Sequence, residues 1–103
     1  MKKYLLNSPV LAVPGLYDYK DADVAEIALF AVDTVSAIGH PGTAEVMTQV
    51  LGFEVKINRA YVILSPGDMA LVFQITERLP EGKVLTAEEL KELKYSLRIL
   101  RRL

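Results

Sequence analysis

The sequence contains no cysteine and only one histidine, His40. Lack of cysteine excludes a disulfide framework, a thiol nucleophile, an iron–sulfur cluster and any Cys-based zinc site. A lone histidine excludes metal centres built on two or three imidazoles. Neither sign of charge dominates: the net charge is −1. That excludes a general nucleic-acid or membrane-surface binder held by bulk charge, and no duplex DNA partner is expected. No run approaches the ~18 apolar residues of a membrane span. Met1-Lys2-Lys3 and the apolar residues after it imitate a signal peptide only faintly. Asn7, Ser8, Pro9 and Pro14 break up that stretch, so a cytoplasmic, membrane-free protein is expected.

What is present is globular. Hydrophobic residues make up 51% and charged residues 24% of 103 positions, enough to bury a core within one domain spanning residues 1–103. The charge is unevenly placed. Residues 1–55 sum to −4 and residues 56–103 to +3. Local basic sites are therefore open around Arg59, Arg78 and the tail Lys94, Arg98, Arg101 and Arg102, with a solvated face as the ordinary reading of the tail.

Tyr4 to Leu6 reads as a first strand that stops at Asn7-Ser8-Pro9, and Leu16 to Tyr19 as a short edge strand. Asp21 or Asp23 caps a helix whose apolar stripe is Val24, Ile27, Ala28 and Ala31. Thr34 to Ile38, short and β-branched, reads as a strand. A second helix follows with Thr43 at its N-cap, Glu45 in its first turn, Ala44, Met47 and Leu51 on one face, and Gly52 past its end. Ala60–Leu64 and Met69–Ile75 are apolar runs around Ser65-Pro66-Gly67-Asp68, the pattern of a hairpin of two central strands. Thr86 and Glu89 open a third helix carrying Leu90, Leu93 and Leu97. Residues 96–103 read as a final strand. The expected fold is α/β: one domain with a mixed sheet of about five strands flanked by about three helices.

His40 sits in a strand-to-helix turn, where a helix N-terminus favours an anion and an imidazole can move protons near neutral pH. The ordinary alternative is a turn histidine with no task. Gly39-His40-Pro41-Gly42 also matches the GXXG loop of KH domains, but that loop joins two helices and here a strand precedes it. Asp18, Asp21 and Asp23 lack the glycine and distal glutamate of a calcium loop and read as helix-capping residues. Arg59 and Arg78 at strand ends either reach a ligand or form weak surface ion pairs. Gln74 breaks an apolar strand near its end and faces solvent or a ligand. Glu81 stands three residues after Arg78 in a proline-containing loop, and Glu77 shares that loop without distinguishing spacing.

Several blocks occur together in one order: Tyr4-Leu5-Leu6-Asn7-Ser8-Pro9, Ser36-Ala37-Ile38-Gly39-His40, Thr43-Ala44-Glu45, Asn58-Arg59, and Arg78 through Leu85. In this the chain resembles, over nearly its whole length, the ring nucleases that viruses use as type III anti-CRISPR proteins and some bacteria carry as CRISPR-associated enzymes. The resemblance is somewhat greater to the bacterial branch. It implies a homodimer with a mixed-sheet core that binds cyclic tetra-adenylate and cleaves it without metal or other cofactor. It matches His40 to the catalytic histidine and Glu81, Arg59, Gln74 and Arg78 to residues that contact the ligand or assist cleavage. Asn7 matches a binding position and Thr43 a helix-start contact. Viral relatives carry Asp-Ser where this chain has Pro41-Gly42, and a serine at Val10. Contacts in that loop therefore fall to the backbone, including Gly39 and Gly42.

Chemistry and resemblance agree. RNA carries its own nucleophile, the ribose 2′-OH, so the protein must only hold it in line with phosphorus and protonate the departing 5′-oxygen. Arginines neutralise the phosphate. The two-fold symmetry of an isologous dimer suits a ring of four nucleotides. Two alternatives are a module that sequesters the ring without cutting it and a small structural or nucleic-acid-associated viral protein.

Overall fold

A computed structural model describes residues 1–76 and 94–103 of the chain. In chain order the elements are β1 (Lys3–Leu6), β2 (Tyr17–Asp21), α1 (Val24–Ala28) running into a 3-10 turn (Leu29–Ala31), β3 (Thr34–Ser36), α2 (Pro41–Leu51), β4 (Met69–Ile75) and β5 (Tyr95–Arg102). The strands form one mixed sheet in the order β2-β5-β4-β1-β3. β1 runs parallel to both β3 and β4, while β5 runs antiparallel to β4 and β2. The expected α/β class and five strands are both present. The third helix lies outside the described residues.

Burial follows the pleat, in which alternate residues face opposite sides. Leu5, Met69, Leu71, Phe73 and Ile99 face the helical layer and pack with Phe30, Ile38, Ala44, Val46 and Met47. Leu6, Ala70, Val72 and Leu100 face the other way and are covered by Val62, Leu64 and Val10. β4 is buried on both faces at Met69–Phe73, as its unbroken apolar run requires.

The hairpin reading fails. Residues 60–64 alternate buried Val62 and Leu64 with exposed Tyr61 and Ile63, yet they form no strand. β4 already has β1 on one side and β5 on the other, so no ladder edge is left for this segment. It covers a sheet face instead. The turn itself is as expected: the Asp68 amide donates to the Ser65 carbonyl at 2.9 Å, and Gly67 takes φ 92°, a value glycine adopts without strain. Both carboxylate oxygens of buried Asp68 are used, accepting from the Lys2 amide at 2.9 Å and the Ser65 amide at 3.0 Å. Gly67 and Met69 donate to the Arg102 and Lys2 carbonyls. One turn thus stitches the start of β1 to the end of β5.

Asp23 caps α1 in a reciprocal capping box with Glu26, but Asp18 and Asp21 belong to β2 and cap no helix. The inward stripe differs from the expected one. Val24 is 85% exposed, and Ile27 with Phe30 pack on the core. β3 ends at Ser36, two residues short of the expected strand. The basic tail is more than a solvated face: Arg98 pairs with Asp21 at 3.1 Å, and Arg102 donates to the Leu64 carbonyl at 2.6 Å.

Candidate functional site

The parallel strands β1, β3 and β4 end at the same side of the sheet, the side where open α/β sheets bind ligands. Asn7 is the first residue past β1, Gln74 the penultimate residue of β4, and the β3–α2 loop follows β3. Asn7, His40 and Arg59 are exposed and Gln74 is half-buried.

α2 begins earlier than its sequence implied. His40, extended at φ −109° and ψ 123°, is the N-cap and Pro41 is the first helical residue. Proline fits that position because its missing N–H would be unpaired there, and it also holds the preceding residue extended. Thr43 is therefore the third helical residue, not the cap, and Glu45 lies beyond the first turn. His40 makes no side-chain cap bond. Its carbonyl accepts the Ala44 amide at 3.1 Å, and Pro41 has no N–H. Gly42 and Thr43 thus carry the amides of the first turn that open toward solvent or an anion. The imidazole folds back over Gly42, whose missing Cβ would lie 3.3 Å from Cε1 and 3.4 Å from Nδ1.

Arg59 reaches the same loop from elsewhere in the chain, from an extended segment and not from the strand end that was expected. A Cβ on Gly39 would stand 2.8 Å from Arg59 Cγ and 3.5 Å from Nε. A glycine is required there because the arginine stem crosses directly over it. Arg59 thus lies over Gly39 and the His40 ring over Gly42, so both side chains lie against the turn that opens α2.

Two residues that drew no individual role from the sequence hold this crossing. Asn58 Nδ2 donates to the Ser36 carbonyl at 2.7 Å, and its amide donates to the Ile38 carbonyl at 2.8 Å. Ser36 Oγ donates to the Lys56 carbonyl at 2.5 Å and accepts from the Ile38 amide at 3.2 Å. The available signal was position alone: each lies within four residues of His40 or Arg59. A cleft of about 500 Å³ opens beside β3, lined by Leu5, Phe30, Thr34, Lys56 and Asn58 among others. His40, Arg59, Asn7 and Gln74 do not line it. Arg78, Glu81 and Glu77 lie outside the described residues. No group of three or more His, Asp or Glu side chains suited to a metal ion occurs among the described residues, nor is any helix there long and apolar enough to cross a membrane.

Residues 3–97 match the STIV B116-like family model. The chain belongs to that family. Its B116-like relatives include the uncharacterized protein ORF116 of Acidianus filamentous virus 1, 37% identical over 99 residues, covering 90% of this chain and 85% of the relative. The uncharacterized protein YddF of Bacillus subtilis is 30% identical over 107 residues, covering 100% of this chain and 99% of the relative. The solved structure of B116 from Sulfolobus turreted icosahedral virus superposes with a TM-score of 0.82 at 27% identity, covering 99% of this chain and 100% of B116. The B116-like fold is thus shared across almost the entire chain.

Proposed function

We propose that this B116-like chain is a metal-independent ring nuclease that cleaves cyclic tetra-adenylate. The placing of Arg59 over Gly39 and of the His40 ring over Gly42, on one turn beside the open amides of α2, is the observation that carries the proposal. It supplies a proton donor, a phosphate-pairing cation and backbone donors around a single loop. In the reaction the ribose 2′-oxygen attacks the adjacent phosphorus and the bond to the 5′-oxygen breaks. Protonated His40 gives its proton to that departing oxygen, and the proton of the 2′-OH passes to water. Arg59 and the amides of Gly42 and Thr43 stabilise charge on the phosphate oxygens. The products are linear di-adenylate ends bearing 2′,3′-cyclic phosphate.

Incubation with labelled cyclic tetra-adenylate, with products resolved by chromatography, tests the proposal directly. Cleavage is expected to survive excess EDTA, because the ribose 2′-OH is its own nucleophile and the proposed proton donor and phosphate partners are His40, Arg59 and backbone amides. Activity abolished by chelation and restored by magnesium or manganese would overturn the proton-transfer mechanism. An intact ring that stays bound would instead support sequestration.

The proposal includes a homodimer, since one chain of this size cannot easily enclose four nucleotides. Tyr61, 82% exposed, and Ile63, 47% exposed, lie just beyond Arg59 and offer apolar surface to a second copy beside the site. Light scattering should give twice the 11.4 kDa chain mass. A monomer at micromolar concentration with full activity would refute this.

A further inference from the structure

We propose that Asn58 and Ser36 are positioning residues whose hydrogen bonds set Arg59 across Gly39 and so fix its distance to His40. Four bonds carry this inference. The two from Asn58 tie the residue before Arg59 to the backbone at Ser36 and Ile38. Ser36 Oγ ties the chain at Lys56 and also braces Ile38, two residues before His40. The segment carrying the arginine and the loop carrying the histidine are therefore joined as one unit. Arg59 itself is exposed and sits on a segment with no strand ladder of its own. Without the clamp, nothing in the described backbone holds its stem against Gly39.

The chemistry of each residue fits. Asn58 uses its side-chain N–H as donor and its backbone N–H as a second donor, both to carbonyls of the β3 exit. An aspartate would match its size but turn an acceptor toward the Ser36 carbonyl. Ser36 serves as donor and acceptor at once, which only a hydroxyl at that place does. Neither side chain is assigned contact with the ring: Asn58 acts through Arg59, and Ser36 through both Arg59 and His40.

The activity arm rests on the ring-nuclease reading; the geometric arm does not. Asn58→Ala is expected to slow single-turnover cleavage of cyclic tetra-adenylate by roughly 10–100-fold, since misplacement by about 1 Å costs up to ~10²-fold. On an Arg59→Ala background the same change should cost less than about twofold, because residues acting as one unit are not additive. Asn58→Asp should behave like Asn58→Ala. Independent of any ligand, NMR should show a cross-peak between the Gly39 α-protons and the Arg59 γ-protons in the parent. It should be lost in both Asn58 variants and in Ser36→Ala while the protein stays folded.

A cross-peak that persists unchanged would overturn the clamp whatever the ring does. Loss of the cross-peak with an unchanged cleavage rate would overturn the positioning role, as would an equal fold-loss on the Arg59→Ala background. A parent inactive on the ring would count against the proposed function, and the cross-peak would still decide the clamp.

Discussion

Replacing His40 with alanine is expected to cut single-turnover cleavage of cyclic tetra-adenylate by about 10²–10⁴-fold, the usual worth of a positioned general acid. Binding of the intact ring should persist. The groups assigned to the phosphates are Arg59 and the amides of Gly42 and Thr43, none of which depends on the imidazole for its place. The His40 side chain makes no cap bond to α2, so its truncation to alanine leaves the backbone bonds of the helix start intact. The variant should therefore separate chemistry from affinity. A folded His40→Ala protein that binds and cuts within a few-fold of the parent would remove His40 from the mechanism. One that no longer binds would make it a ligand contact, with the acid then sought at Glu81 or Glu77.

Asp68→Ala is expected to lower stability by about 2–4 kcal/mol, because charge-assisted bonds are worth roughly 1.5–3 kcal/mol each and their donors are left unpaired. For a domain near this size that lowers the melting temperature by roughly 10 °C or more. Burial by itself would raise the Asp68 carboxyl. The amides of Lys2 and Ser65, with the positive charges of the amino terminus and Lys2, outweigh burial and hold it below its ordinary value of 3.8. The stabilisation is thus complete above that ordinary value and is lost as pH falls through the lower folded one. Asp68→Asn should lose this part of the acid sensitivity, since it carries no titrating group. Melting curves from neutral pH down to about pH 3 decide it. Parallel acid profiles for parent and Asn variant would deny Asp68 this role.

Local features were the legible ones. Asp23 with Glu26, Gly52 after α2 and the Ser65–Asp68 turn each depend on residues within four positions, and each is where its chemistry put it. Strand identity was legible for Met69–Ile75 because burial on both faces leaves an apolar run. Strand partners were not. Residues 60–64 have a strand's alternation, and only the occupation of both β4 edges by distant β1 and β5 denies them a ladder. Within the site, His40 and Arg59 were visible as residue types, but their placement on one turn was not. It depends on bonds between Ser36 and Asn58, 22 positions apart, that leave no periodicity. The helix start was misread by three residues because Thr43 is a good cap, while Pro41 is better still as a first residue.

The register of β1 has a consequence for biosynthesis. Lys3–Leu6, made before both of its partners, lies between β3 and β4 and pairs with Thr34–Ser36 and Met69–Val72. It has no complete set of neighbours until Met69–Val72 has been made. β4 in turn waits for β5, at the far end of the sequence. Pairings this distant in sequence pay loop-closure entropy before they gain contacts, which slows folding. At about 5–20 residues per second the apolar segment Tyr4–Leu6 spends seconds outside the tunnel with unpaired edges. A chaperone that shields it during that interval should raise the yield of soluble protein more than any contact added later to the helical layer.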